Sequence, residues 1–453
     1  MKLSPLITMV SLCAMLTVAC STDEALSNAT PSAGRPNVVL LLADTLRADV
    51  LSFYGAEEER APFLAALAGR GTVFQNAYST SSWTAPSSAS VLTGVYPDRH
   101  GVIAGFLAQF KDVGDQVDES ALGEMNLLSI ARDVPTLAER MQSLGYDTYG
   151  LSSNLNVGPE LEFDRGFDHF RRSEGSVPAG KMFQMLREWK QLMEASEDPY
   201  FVYLHLNDVH VPYDLRPRFY TDDPTRDEVA ESYEAYKSEL GFLDFIIRSM
   251  HTEFGWTEDT LFVFVADHGE EFRDHGGLYH EFSVYNEVSR IPFMVSGPGL
   301  GVQAGVVEQN ASLIDVAPTI LGLLGQEFGD QFDGSSLAPF CLATDKSSVS
   351  QTAEALLERP LIVHRYELGE HLWSIIRERW KLIESKEETL LFDLREDPGE
   401  TTDLAGQHPR LVEQLQASLK AHRERGSNPD SVQKDVEIDP GLLQQLKALG
   451  YVR

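Results

Sequence analysis

Three segments of this chain share one pattern. They are "PNVVLLLADTL" at 36–46, "PYFVYLHLNDVHVPY" at 199–213 and "TLFVFVADHGEEF" at 260–272. Each is an apolar run without alternation, closed by residues that can bind a metal or an anion. Such runs are strands buried on both faces, as in a parallel sheet covered by helices. The covering helices are also legible. "APFLAALAGRG" reads as a short helix stopped by Gly71, and "PTLAERMQSLGYDTYGLSSN" as a helix from Pro135 followed by a strand. "DEVAESYEAYKSELGFLDFIIRSM" is a long amphipathic helix, "IPFMVSGPG" a further strand, and "LIDVAPTILGLLG" a helix with an early proline. Strands alternating with helices predict an α/β fold with a mostly parallel sheet.

In open sheets of this kind, sites form outside the carboxyl ends of the strands. Asp44 closes the first run, and Asp267 and His268 close the third. "STSSWTAPSSASVLTGVYPDRHGV" at 79–102 reads as a loop running into a helix, with Thr84 at its start. Two carboxylates, an imidazole and a hydroxyl make a mixed oxygen and nitrogen set for one divalent cation. Ligand type alone leaves Ca, Mn, Mg and Zn open. A cation would also answer how Thr84, an unreactive alcohol, could attack an ester: it lowers the pKa of a coordinated oxygen.

Charge narrows the partners. With 37 basic against 69 acidic residues, the formal net charge is −32. That field repels nucleic acid and other polyanions. A single anionic group can still bind where a metal dominates locally. The expected partner is a small-molecule, glycan or lipid ester.

The first 20 residues, "MKLSPLITMVSLCAMLTVAC", have the lysine, apolar run and small residues of a secretory signal. The ending "LTVAC" resembles a bacterial lipobox, which would place a lipid on Cys20; cleavage near Ala19 is the alternative. Residues 21–35 read as a tether. The expectation is export to the bacterial cell envelope or periplasm, with membrane contact only through that anchor. No later apolar run reaches the roughly 18 residues of a membrane span. Of the three cysteines, Cys13 and Cys20 lie in this segment, leaving Cys341 alone and no disulfide framework.

The same segments carry a family resemblance. The chain resembles the sulfatase branch of the alkaline phosphatase superfamily. "NVVLLLADTLRADVLSFYG" is similar to that family's opening strand and first metal ligand, and "SSWTAPSSASVLTGVYPDRHGV" to its nucleophile loop. "GYDTYGLSSN", "FDRGFDHF", "YLHLNDVHVPY", "FVADHGEEFRDHGGLYH", "SRIPFMVSGPG" and "LFDLREDPGETTDLA" follow in the family's order, from about 36 to 425. The resemblance implies an alkaline phosphatase-like sheet flanked by helices, with a smaller C-terminal α+β part. It assigns 36–340 to the catalytic domain, 341–425 to the smaller part, and 426–453 to a linker and terminal helix. Within the smaller part, "LWSIIRERWKLI" and "ETLLFDL" read as two antiparallel strands. Residues 104–130 read as a loop or lid.

The departures from the family decide the chemistry. Sulfatases carry Cys or Ser in C/S-x-P-x-R, converted to formylglycine. Here Thr84 stands at the convertible position and Ser88 at the arginine, so no formylglycine is expected. Thr45 replaces the second aspartate, and the Lys/His pair after the "GY" strand is missing, with Asn154 near its place. The remaining Asp44, Thr84, Asp267 and His268 resemble threonine-nucleophile relatives that handle phosphate esters. A sulfated threonine cannot collapse to an aldehyde, whereas a phosphothreonine can be resolved by in-line attack. The resemblance places His210 on the ester's peripheral oxygens and His280 near the leaving group, as general acid. Asn154 is a further candidate for substrate binding. For His205, Asn154 and Arg47 a structural role is as good a reading, and His100 holds a turn. The expected function is a metal-dependent hydrolase of sulfuric or phosphoric esters, with phosphate mono- and diesters favoured. The alternatives are a phospho-group transferase to an alcohol, or a binding protein that kept the fold.

Overall fold

Strand Asn37–Ala43 (β1) has every residue after its first buried, and it lies in the middle of the sheet. The computed structural model describes residues 34–105, 128–257, 260–280, 282–326, 329–342, 346–365, 372–425 and 443–444. The expected signal segment with Cys20, most of the tether and of the 104–130 loop, the linker and most of the terminal helix lie outside these residues.

The next strands along the chain are Thr72–Tyr78 (β2), Asp147–Ser152 (β3), His169–Arg172 (β4), Tyr200–Leu206 (β5) and Thr260–Ala266 (β6). A two-residue hairpin pairs Glu271–Phe272 (β7) with Leu278–Tyr279 (β8). Arg290–Ile291 (β9), Phe293–Ser296 (β10) and Gly305–Ser312 (β11) complete the main sheet. Its order is β11-β2-β10-β6-β1-β5-β3-β4, with β9 on β2. Neighbours β6, β1, β5, β3 and β4 run parallel, as does β11 on β2. β10 is antiparallel to both β2 and β6, which makes the sheet mixed.

Register explains why this sheet makes a site. Ala43 pairs with Leu206 on one side and with Ala266 on the other. Asp44, Asn207 and Asp267 therefore leave the carboxyl edge at one level. Ser152 pairs with His205 on the next strand, so the turn holding Asn154 emerges beside them. Apolar side chains on both faces of β1, β5 and β6 keep the strands in place and leave only their ends to polar chemistry.

Helices cover both faces. Leu137–Ser143 starts at a capping box of Thr136 and Glu139. Glu228–Glu253 is capped by the Asp227 side chain. Helix Thr84–Thr93 is buried at every residue. Its alanines, serines and threonines are small enough to pack on all sides, and Gly94, in the left-handed region, ends it.

The C-terminal part corrects the sequence reading. "LWSIIRERWKLI" is two strands, Leu372–Arg377 and Trp380–Glu384, joined by a tight turn at Glu378–Arg379. With Leu361–Arg365 before them and Thr389–Asp393 after, they form an antiparallel sheet of four (β12 to β15 in chain order). Glu378 takes a positive φ of 53°, a turn conformation that no Gly, Asn or Pro signals. Helix Pro409–Arg425 packs Leu415 and Leu419 on one face of this sheet. The other face meets Tyr78 and Val284 of the main domain. Among the described residues, no helix is long and apolar enough to cross a membrane.

Candidate active site

The loop before Thr84 is held by its own hydroxyls. Ser79 Oγ donates to Ser81 O at 2.5 Å, Ser87 Oγ donates to the same carbonyl at 3.0 Å, and the two hydroxyls meet at 3.0 Å. This fixes the approach to helix Thr84–Thr93 and presents Thr84 on its first turn. The partial positive charge of a helix N-terminus favours an anion in front of it.

Thr84 Oγ1 lies 3.4 Å from Asp44 Oδ1 and 3.3 Å from His268 Nε2. His268 Nε2 is 3.4 Å from Asp267 Oδ2 and 3.8 Å from Asp44 Oδ1. The four residues singled out in the sequence thus converge, and all are buried. Asp267 Oδ1 accepts the N–H groups of His268, at 2.8 Å, and Thr45, at 3.1 Å. His268 Nδ1 faces Gly269 O at 3.0 Å, which leaves Nε2 turned to Thr84.

Thr45 stands in the left-handed region at φ 54°, a costly conformation for a β-branched residue. Its hydroxyl donates to Val209 O at 2.6 Å, and its carbonyl accepts from Tyr236 Oη at 3.0 Å. Arg47 is structural: it bonds Asp49, Asp274 and Glu270 O. His100 holds its turn, with Nε2 on Ser90 Oγ and Nδ1 accepting from Val102 N.

Asn154 enters the site through Asp44. Its Nδ2 donates to Asp44 Oδ2 at 2.6 Å and to Asn207 Oδ1 at 3.0 Å, and its Oδ1 accepts from Asn156 N. Its amide is committed within the protein.

The histidines form a group. Ring centroids are 4.5 Å apart for His268 and His280, and 5.2 Å for His210 and His280. His280 Nδ1 meets Glu270 Oε1 at 3.0 Å, and His210 Nδ1 meets Val211 O at 2.6 Å. The sequence shows Glu270 only as part of "ADHGEEF"; its bond to His280 is a tertiary contact with no local signal. His205, a weaker candidate in the sequence, is fully buried on β5. Its Nε2 is 3.9 Å from Asp44 Oδ2, and ligand atoms of Asp44, His205 and Asp267 lie within 4.8 Å of one another.

Burial and like charge act together here. Burial raises the pKa of Asp44, and Asp267 raises it further. Burial pushes Asp267 up to about 7 and Glu270 to about 7. It pushes His268 down to about 3, with help from His280, and His205 down to about 4. His280 is lowered well below the usual histidine value by burial and by His210. For His210 burial works downward, but Asp44 and Glu270 outweigh it and raise the pKa.

Among the described residues, no lysine or arginine bonds the side chain of Asp44, Asp267 or Glu270. Asp267 Oδ2 and both ring nitrogens of His205 are buried without a hydrogen-bond partner. Two adjacent buried carboxylates with unpartnered donors beside them are short of one cation. The residues therefore fit a divalent metal ion.

The chain is similar to known proteins along most of its length. The family described as Sulfatase matches residues 36–326, more than half of the chain. A second family, the N-sulphoglucosamine sulphohydrolase C-terminal region, matches 274–425. The choline-sulfatase of Rhizobium meliloti is 25% identical, covering 86% of this chain and 86% of its own. The N-acetylgalactosamine-6-O-sulfatase of Bacteroides thetaiotaomicron is 23% identical, covering 86% and 94%. The phosphonate monoester hydrolase of Agrobacterium radiobacter has the same fold, with a TM-score of 0.66 at 18% identity over 90% of this chain and 98% of its own. With family matches running through both parts of the chain, the protein is a sulfatase-like ester hydrolase and belongs to the sulfatase family.

Proposed function

We propose that the protein is an exported, metal-dependent hydrolase that uses Thr84 itself as nucleophile, without formylglycine, and that prefers phosphate mono- and diesters to sulfate esters. The observation that carries this reading is the placement of Thr84 Oγ1 between Asp44 Oδ1 and His268 Nε2, at the start of a buried helix. Asp44, Asp267, His268 and Thr84 would hold the cation. When bound, it supplies Lewis-acid polarisation and lowers the pKa of the threonine oxygen.

The remaining work falls to the chain. Asn154 fixes Asp44 by its Oδ2, so Oδ1 stays towards Thr84. The N-terminus of helix Thr84–Thr93 favours the ester's negative charge. His210 and His280 face one another on the leaving-group side. Asp44 and Glu270 outweigh burial and raise the pKa of His210, whereas burial and His210 lower that of His280, so of the two His210 favours the protonated form. Glu270 holds His280 Nδ1 and so turns Nε2 towards the site. The pair delivers the proton to the departing oxygen, and water then attacks the phosphothreonine.

The relatives, two sulfatases and a phosphonate monoester hydrolase, bracket this chemistry. The test is hydrolysis of matched aryl sulfate, aryl phosphate, aryl phosphodiester and aryl phosphonate substrates by the metal-loaded protein. Turnover of the phosphorus esters, lost in Thr84→Ala, is expected. Turnover of aryl sulfate alone would contradict the preference, and undiminished activity in Thr84→Ala would contradict the nucleophile.

A further inference from the structure

We infer that His205 is itself a ligand of the cation, and that the site is built for Zn2+ rather than for Ca2+ or Mg2+. This rests on the reading above, in which Asp44 and Asp267 hold a divalent ion.

His205 is out of place on its strand. The other residues of β5 are Tyr, Phe, Val, Tyr, Leu and Leu, and all are buried. A fully buried imidazole in such a setting normally bonds something. Both nitrogens of His205 lack a hydrogen-bond partner, as does Oδ2 of Asp267. The register that pairs His205 with Leu42 and Ser152 places it beneath the strand-end turns that carry Asp44 and Asn154.

The oxygens left over are few. Asp44 Oδ2 is taken by Asn154, and Asp267 Oδ1 by two backbone N–H groups. Thr45, which follows Asp44, spends its hydroxyl on Val209 O. That leaves one free oxygen on Asp44, one on Asp267 and the hydroxyl of Thr84. Ca2+ takes six to eight oxygen ligands, often with bidentate carboxylates, and Mg2+ wants an octahedron of oxygens. Three oxygens and the imidazoles of His205 and His268 make a set of the kind zinc takes.

The spacing agrees. Bonds of about 2.1 Å give a tetrahedron with edges of about 3.4 Å. His268 Nε2 to Asp267 Oδ2 is 3.4 Å and His268 Nε2 to Asp44 Oδ1 is 3.8 Å, and ligand atoms of His205, Asp44 and Asp267 lie within 4.8 Å of one another. Small shifts would close the set. Gly269 O fixes His268 Nδ1, as the outer partner of a metal-bound imidazole does.

The experiment titrates chelator-stripped full chain with Zn2+, Ca2+ and Mg2+, and records the visible spectrum of the Co2+-loaded protein. One Zn2+ per chain is expected, bound at least about 100-fold more tightly than Ca2+ or Mg2+. Co2+ should give the strong visible bands of a four- or five-coordinate site. His205→Asn should lose roughly 100-fold or more in Zn2+ affinity, beyond the 10–100-fold typical of losing a supporting partner, with Ca2+ affinity unchanged. Ca2+ or Mg2+ binding as tightly as Zn2+, or unaltered Zn2+ affinity in His205→Asn, overturns the inference. If His205→Asn does not fold, a weak octahedral Co2+ spectrum of the unmutated chain overturns it instead. Failure of every divalent ion to bind overturns the proposed function as well.

Discussion

Asn154 Nδ2 donates to Asp44 Oδ2 at 2.6 Å, the carboxylate oxygen that Thr84 does not touch. This bond makes Asn154 a positioning residue. Asn154→Leu should lower kcat by roughly 10–100-fold, the usual cost of losing an outer partner, with KM nearly unchanged. Steady-state kinetics on an aryl phosphodiester checks it. A rise in KM at constant kcat would instead mean that Asn154 binds the ester directly, as the sequence suggested.

Glu270 faces His280 Nδ1 at 3.0 Å, and burial brings its pKa to about 7. Its carboxylate form should be the active one, so the rate falls as pH drops through about 7. Glu270→Gln keeps an acceptor for His280 but cannot titrate. The variant should be roughly 10-fold slower and should lose that acid limb. The pH dependence of kcat/KM for the two proteins decides it.

A buried ion pair inside the C-terminal part anchors it to the main domain through the partners of each charge, Asn286 and Ser289. Lys381 Nζ lies 2.8 Å from Glu400 Oε1, with both side chains at 0% exposure. Lys381 also donates to Asn286 Oδ1 and Ser289 Oγ. Removing one partner strands a buried charge, at a cost of about 3–5 kcal/mol. Lys381→Met should lower the melting temperature markedly. The double variant Lys381→Met with Glu400→Met should recover part of the loss, as thermal denaturation of both will show.

His275 makes the fold's stability pH-dependent. Its Nδ1 is 2.7 Å from Glu287 Oε1, its Nε2 faces Glu400 O, and its ring stacks on Tyr285. Burial lowers its pKa, but Glu287 outweighs this and the value is raised to about 8. A raised histidine pKa adds stability that is full below the unfolded value, about 6.5, and is lost as pH rises through about 8. The melting temperature should fall between pH 6.5 and 8.5, and His275→Gln should flatten that slope.

The sheet and the catalytic corner were legible because one physical rule wrote both. Strands buried on two faces must be continuously apolar, so the first polar residues, Asp44 and Asp267, mark their ends. In-register pairing of β1 with β6 then brings those two together. His205 was harder to read, since a lone histidine in an apolar strand is more often a packed core residue. Its unpartnered nitrogens are visible only in three dimensions. Glu378 turns a hairpin without glycine, asparagine or proline, so β13 and β14 read as one strand. The Lys381–Glu400 and Glu270–His280 pairs depend on tertiary contacts that no local pattern encodes.

The central claim is that Thr84 becomes covalently modified. The direct measurement is rapid quenching of the metal-loaded protein during turnover of an aryl phosphodiester, followed by mass spectrometry of the peptide that contains Thr84. The account predicts a phosphoryl adduct on Thr84 that forms and decays at the rate of turnover. Turnover with no adduct at any time, retained in Thr84→Ala, would show that water attacks the ester directly.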